Sequence, residues 1–172
     1  MLKPAGVLLV FIASIGLAVQ IGRDLKNHLY LLYDMRKLLF DIANEMSFSL
    51  EPAEIILTDR VHSRSPCLNE ICQTMAEELK KKQTGSGDEI WKKVVLQYRR
   101  EMHLTEEEAE IFIGAGSSFF GKSISENEKG LEHFVKRLDE VIMIEQKEQK
   151  EKQKVYQTAS IMCGLIIILI FL

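Results

Sequence analysis

The sequence predicts an all-α protein: a cytoplasmic, antiparallel bundle of about six helices set between an N-terminal and a C-terminal transmembrane helix. Three features carry this. Both ends are long apolar runs, the middle repeats its apolar residues every three or four positions, and no stretch alternates apolar and polar residues as a half-buried strand does. With 172 residues the chain has room for one such body. Its formal net charge of -3 is unevenly spread. No Asp or Glu precedes Asp24, Lys3 is the one basic residue before Arg23, and no charged side chain follows Lys154.

The first element, residues 1–22, is read as a transmembrane helix. Ala5 to Ile21 holds one strongly polar residue, Gln20. At helical rise it extends roughly 26 Å, a short span that crosses a bilayer core about 30 Å thick if its flanks snorkel or the bilayer thins. A cleavable leader is the competing reading, from the basic start at Lys3 and the small residues Gly16 and Ala18. The last element, residues 155–172, is read as the second span. It becomes almost wholly apolar after Tyr156, and a run such as Leu165 to Leu172 shows no polar face for solvent; a buried core helix is the alternative. Arg23, Lys26, Arg36 and Lys37 follow the first span, and Lys147, Lys150, Lys152 and Lys154 precede the second. The positive-inside bias therefore puts the middle in the cytoplasm.

Within the middle, residues 23–144, the stripe Leu25, Leu29, Leu32, Leu39, Ile42, Met46, Leu50 continues the first helix until Glu51-Pro52 stops it. A short helix runs from Pro52 to about Arg60. Ser63-Arg64-Ser65-Pro66 makes a turn, with Pro66 as the first residue of a helix bearing Leu68, Ile71, Cys72, Met75 and Leu79. Residues 83–87, QTGSG, form a loop. The next helix carries Ile90, Trp91, Val94, Val95 and Tyr98, with Trp91 as a core anchor. Thr105 then caps another helix with Glu108 three residues on, Glu106 and Glu107 in the positive first turn, and Leu104 and Ala109 as a hydrophobic staple. Gly114 or Gly116 should end it in a left-handed cap. Ser123 or Ser125 should cap the last cytoplasmic helix, whose buried stripe is Leu131, Phe134, Val135, Leu138, Val141, Ile142 and Glu145. Residues 145–154 contain only Glu, Gln and Lys, all good helix formers, and read as a charged helical stalk in which Glu148 faces Lys152. A disordered linker is the alternative for this segment.

One motif points to chemistry. Residues 116–123, GSSFFGKS, match the phosphate-binding loop pattern with Gly116, Gly121, Lys122 and Ser123 in place. That chemistry needs a parallel sheet behind the loop and an acid that binds magnesium, and the sequence offers neither. Phe119 and Phe120 add bulk where such a loop must curl, so both are expected in the core and Lys122 in solvent. Nucleotide binding by this loop stays as the alternative function. Elsewhere His28, His62, His103 and His133 are scattered, and Ser, His and acidic residues form no nucleophile motif. Cys67, Cys72 and Cys163 lack metal-ligand spacing and read as structural thiols of a reducing compartment. No catalytic, cofactor-binding or metal-binding residue is assigned, and the mildly acidic middle excludes a nucleic-acid partner. The expected protein is not an enzyme.

The layout resembles the stage III sporulation protein AB family of endospore-forming bacteria. The residues that carry the likeness are Glu45-Met46-Ser47-Phe48 before a proline-containing turn, Trp91, the turn Gly121-Lys122-Ser123, Val155-Tyr156, and Gly164 in the last span. Phe120, Ile124 and Glu128 depart from the family's usual turn. The resemblance implies a subunit of the mother-cell membrane complex that builds a channel or secretion-like apparatus to the forespore. It also implies a domain like the F domain of type II secretion and type IV pilus platform proteins. The implied partners are the complex's AA-type ATPase, its other membrane subunits and membrane lipid, with homo-oligomerisation left open.

Overall fold

The protein is described by a computed structural model. It describes residues 2–49, 51–81, 85–120 and 124–171, with backbone alone for 2–19, 21–22, 24–25, 124–129 and most of 157–171. Among the described residues every regular element is helical, in agreement with the expected all-α class: α1 (Leu2–Phe48), α2 (Ala53–Ile55), α3 (Pro66–Lys80), α4 (Gly87–Tyr98), α5 (Glu106–Phe120) and α6 (Ile124–Phe171). The chain forms two compact units, Tyr30–Ile142, and Met1–Leu29 with Met143–Leu172.

In Tyr30–Ile142 the helix ends follow local chemistry. α1 stops at Phe48, ahead of Pro52. α2 passes directly into one π-helical turn, Ile56–Arg60, which buries Ile56 and Leu57 side by side. Pro66 opens α3 from its first position, where its missing N–H costs nothing. The turn before α3 is closed by Asn69, whose side chain accepts from the Ser63 N–H (2.8 Å) and donates to the Ser63 carbonyl (2.9 Å). α4 starts at Gly87, the last residue of the expected loop, whose residues 83 and 84 lie outside the described ones, with the Ser86 N–H donating to the Glu89 carboxylate at 3.3 Å. The capping box of α5 is present in both directions: the Thr105 N–H donates to Glu108 Oε2 (2.8 Å), and the Glu108 N–H donates to Thr105 Oγ1 (3.3 Å).

Between α4 and α5 the chain makes an unusual reversal. The Leu104 N–H donates to the Arg99 carbonyl (3.1 Å) and the His103 N–H to the Arg100 carbonyl (3.2 Å), the paired bonds of a Schellman cap. His103 takes the left-handed position of that cap with φ 53, where glycine is the usual choice. The short turn makes α4 and α5 antiparallel neighbours.

The core is contributed by every major helix of this unit. From α1 it takes Leu32, Met35, Leu38, Leu39 and Ile42, from α3 Leu68, Ile71, Cys72 and Met75, from α4 Trp91, Val94 and Val95, from α5 Ile111 and Phe112, and from α6 Val135, Leu138 and Ile142. Polar ties fix the packing at its margin. The Thr74 and Tyr98 hydroxyls meet at 3.0 Å, joining α3 to α4, and Arg36 of α1 holds Asp139 of α6 in a two-pronged ion pair with its second arm at 3.1 Å.

In the other unit, residues 145–154 are helical and Lys152 pairs with Glu148 at 2.9 Å. Among the described residues no helix is long and apolar enough to cross a membrane. Of the segments expected to span one, most side chains of 1–22 and 155–172 lie outside the described residues, although the backbone of 2–22 and 155–171 is helical.

Candidate functional site

The stretch GSSFFGKS is the first place to look for chemistry. Gly116 to Phe120 form the last turns of α5, so their N–H groups lie in a helix and not in an open loop. The expected helix end at Gly114 or Gly116 is therefore displaced to Phe120. Neither glycine has a positive φ, and the reason for both is space. A Cβ on Gly116 would lie 1.8 Å from Trp91 Nε1 and 2.1 Å from its Cε2. A Cβ on Gly114 would lie 2.3 Å from Phe134 Cε1. Two residues apart on a helix is about 200° of rotation, so one glycine admits an aromatic ring from α4 and the other admits one from α6 on the opposite side. α5 is thus pressed between two neighbours at distances that no side chain permits.

Trp91 is the centre of this arrangement. It is fully buried, and its indole N–H donates to the Phe112 carbonyl at 3.0 Å, which satisfies the one polar atom of the ring. The Phe112 ring meets it edge-on at 5.1 Å and the Phe120 ring lies at 6.1 Å. Phe120 also covers Gly87, where a Cβ would come within 2.8 Å of the Phe120 Cβ. Phe119 and Phe120 are half-buried, so the expected burial is met in part. Gly121, Lys122 and Ser123 lie outside the described residues. Ser125 does not cap α6: the helix already includes Ile124, which leaves Ser125 in its first turn.

Burial pushes the Cys72 thiol up to about 12, and burial with the nearby Glu101 and Glu70 pushes Cys67 up to about 11. Both stay protonated at neutral pH and offer no thiolate. A hydrogen bond from Arg60 holds the Glu51 carboxyl below its ordinary range, and hydrogen bonds and charge from Lys81 and Lys93 do the same for Glu78. His62 and His103 are exposed, and His133 lies edge-on to the Phe134 ring at 5.5 Å. Cys163 falls outside the described side chains.

The outer face of α1 is what the sequence reading missed. Tyr30 (64%), Tyr33 (40%), Phe40 (44%) and Phe48 (86%) are solvent-exposed there, with Lys37 and Asn44 between them. The signal was in the sequence, as aromatic residues spaced to share a face opposite the leucine stripe.

With this geometry in hand, comparison with known families places the chain. The family model described as stage III sporulation protein AB matches residues 3–172. The protein belongs to the stage III sporulation protein AB family. Membership confirms the resemblance read from the sequence and brings a role in stage III of sporulation with it. No curated protein and no solved structure matches this family member.

Proposed function

We propose that this member of the stage III sporulation protein AB family is a non-enzymatic platform subunit of a membrane complex between mother cell and forespore. In this reading the two apolar ends anchor it twice in the mother-cell or outer forespore membrane. The helical body faces the cytoplasm, where it docks the associated AA-type ATPase and neighbouring membrane subunits. The family match over residues 3–172 carries the reading.

Physical features support it. The apolar ends, with Lys3 their one charged side chain, and the basic residues at both borders of the middle fit two spans with the body inside. Trp91 and Phe134 pack against Gly116 and Gly114 without room for a side chain, the close packing that suits a part transmitting force or position. Gly116 to Phe120 being helical weighs against the nucleotide-loop alternative, because a phosphate cradle uses backbone N–H groups freed from a helix. Contact, not catalysis, is then how the protein acts.

The test is a pull-down of the detergent-solubilised full chain from sporulating cells. Recovery of the ATPase and the other complex subunits is the expected result. Recovery of none of them contradicts the proposal.

A further inference from the structure

We infer that the exposed aromatic face of α1 is a self-association seam, along which a second copy of this chain packs parallel and in register. The inference rests on the membrane reading above for the parallel sense, because two copies inserted the same way in one membrane present α1 in the same direction.

The spacing is the first argument. Tyr30, Tyr33, Lys37, Phe40, Asn44 and Ser47 follow one another at intervals of three and four, the a and d positions of a heptad, and all six are exposed. The opposite positions of the same heptads, Leu32, Met35, Leu38, Leu39 and Ile42, are at most 1% exposed within the chain's own core. The helix therefore presents a second face at heptad spacing, exposed where the first is buried.

Area and charge choose the occupant. The exposed parts of Tyr30, Tyr33, Phe40 and Phe48 amount to about 450 Å² per copy, given the surface of an aromatic side chain. Doubling this by symmetry, with Lys37, Asn44 and Ser47 added, reaches the roughly 1,000 Å² that a specific interface needs. The seam is also locally neutral. Lys37 is paired with Asp41 on its own helix, and Arg36, which lies 5.0 Å over the Phe40 ring, is paired with Asp139. A strongly acidic or basic partner gains nothing from such a face, whereas an identical copy sets Lys37 opposite its own equivalent with each charge already offset by its own Asp41. Asn44 at an a position selects further: two such amides hydrogen-bond to each other only in a parallel, in-register pair.

Cysteine crosslinking of the full chain in its membranes tests this. Asn44→Cys or Tyr33→Cys, oxidised with copper phenanthroline, should give at least tenfold more covalent dimer than the wild type, whose own cysteines set the background. Lys92→Cys, exposed on α4, should stay at that background. Adding Phe40→Asp to Asn44→Cys should lower the yield at least tenfold while the circular dichroism melt is unchanged, Phe40 being outside the core. Dimer at background for both seam positions, or equal dimer from Lys92→Cys, overturns the seam. Dimer trapped only on mixing Tyr30→Cys with Phe48→Cys chains overturns the parallel sense. A carbonate wash of the same membranes reads the anchoring separately: chains that wash off contradict the membrane reading, whatever the crosslinks show.

Discussion

Replacing Gly116 with alanine separates two accounts of the same residue by the sign of its effect. If Gly116 were an ordinary helical glycine, alanine would stabilise α5 by about 1 kcal/mol through its better helix propensity. The structure predicts the reverse. The added Cβ would lie 1.8 Å from Trp91 Nε1, far inside contact distance, and Trp91 has no exposed surface into which to move. Overpacking of this kind costs about 1 to 3 kcal/mol. Displacing the indole also breaks its hydrogen bond to the Phe112 carbonyl and leaves buried polar atoms unpaired, at about 1 to 3 kcal/mol more. After the propensity gain, the expected net loss is about 3 kcal/mol, or roughly 10 °C in Tm. Thermal and urea unfolding of the full chain in detergent measures it, with the fluorescence of the one tryptophan as a local probe. A partial rescue in Gly116→Ala/Trp91→Leu would assign the loss to that contact. A variant as stable as the wild type, or more so, would refute the argument that α4 and α5 close on this glycine.

Other consequences follow from the same geometry. His103→Gly should raise stability by about 0.5 kcal/mol in the same unfolding assay, because glycine relieves the left-handed backbone at φ 53 and returns part of the gain as chain entropy. For Cys72, whose thiol is raised to about 12, the protonated form is favoured by folding, so its contribution is complete below the ordinary thiol range and is lost as pH rises toward 12. Stability is thus insensitive to this group near pH 8. There Cys72 should resist iodoacetamide until the protein unfolds, as read by peptide mass spectrometry; rapid labelling of the folded chain would contradict its burial. Labelled ATP should bind the full chain no better than background, and Lys122→Ala should change nothing; saturable binding lost in that variant would restore the phosphate-loop alternative.

The borders that the sequence made legible are those set by local chemistry. Pro52 and Pro66 constrain the backbone next to them, and Thr105 with Glu108 closes a capping box, whatever lies elsewhere in the chain. Gly114 and Gly116 were misjudged because glycine serves two opposite purposes, freedom to end a helix and absence of a side chain within one. Which purpose applies depends on Trp91 and Phe134, which belong to other helices and reach α5 only in the folded chain. Ser125 likewise had the composition of a cap, but α6 starts ahead of it. The π turn at Ile56–Arg60, which buries Ile56 and Leu57, has no sequence signature of its own. Of the α1 face, the leucine stripe was read and the aromatic one was not, because exposure is a property of what the other helices leave uncovered.

The claim on which the functional account depends is that this protein holds the ATPase of the sporulation complex at the membrane. Fractionation of sporulating cells, with and without the protein, tests it directly by following the ATPase between membrane and soluble fractions. The ATPase should sediment with membranes when the protein is present and move to the soluble fraction when it is absent. An ATPase distributed alike in both strains contradicts the account.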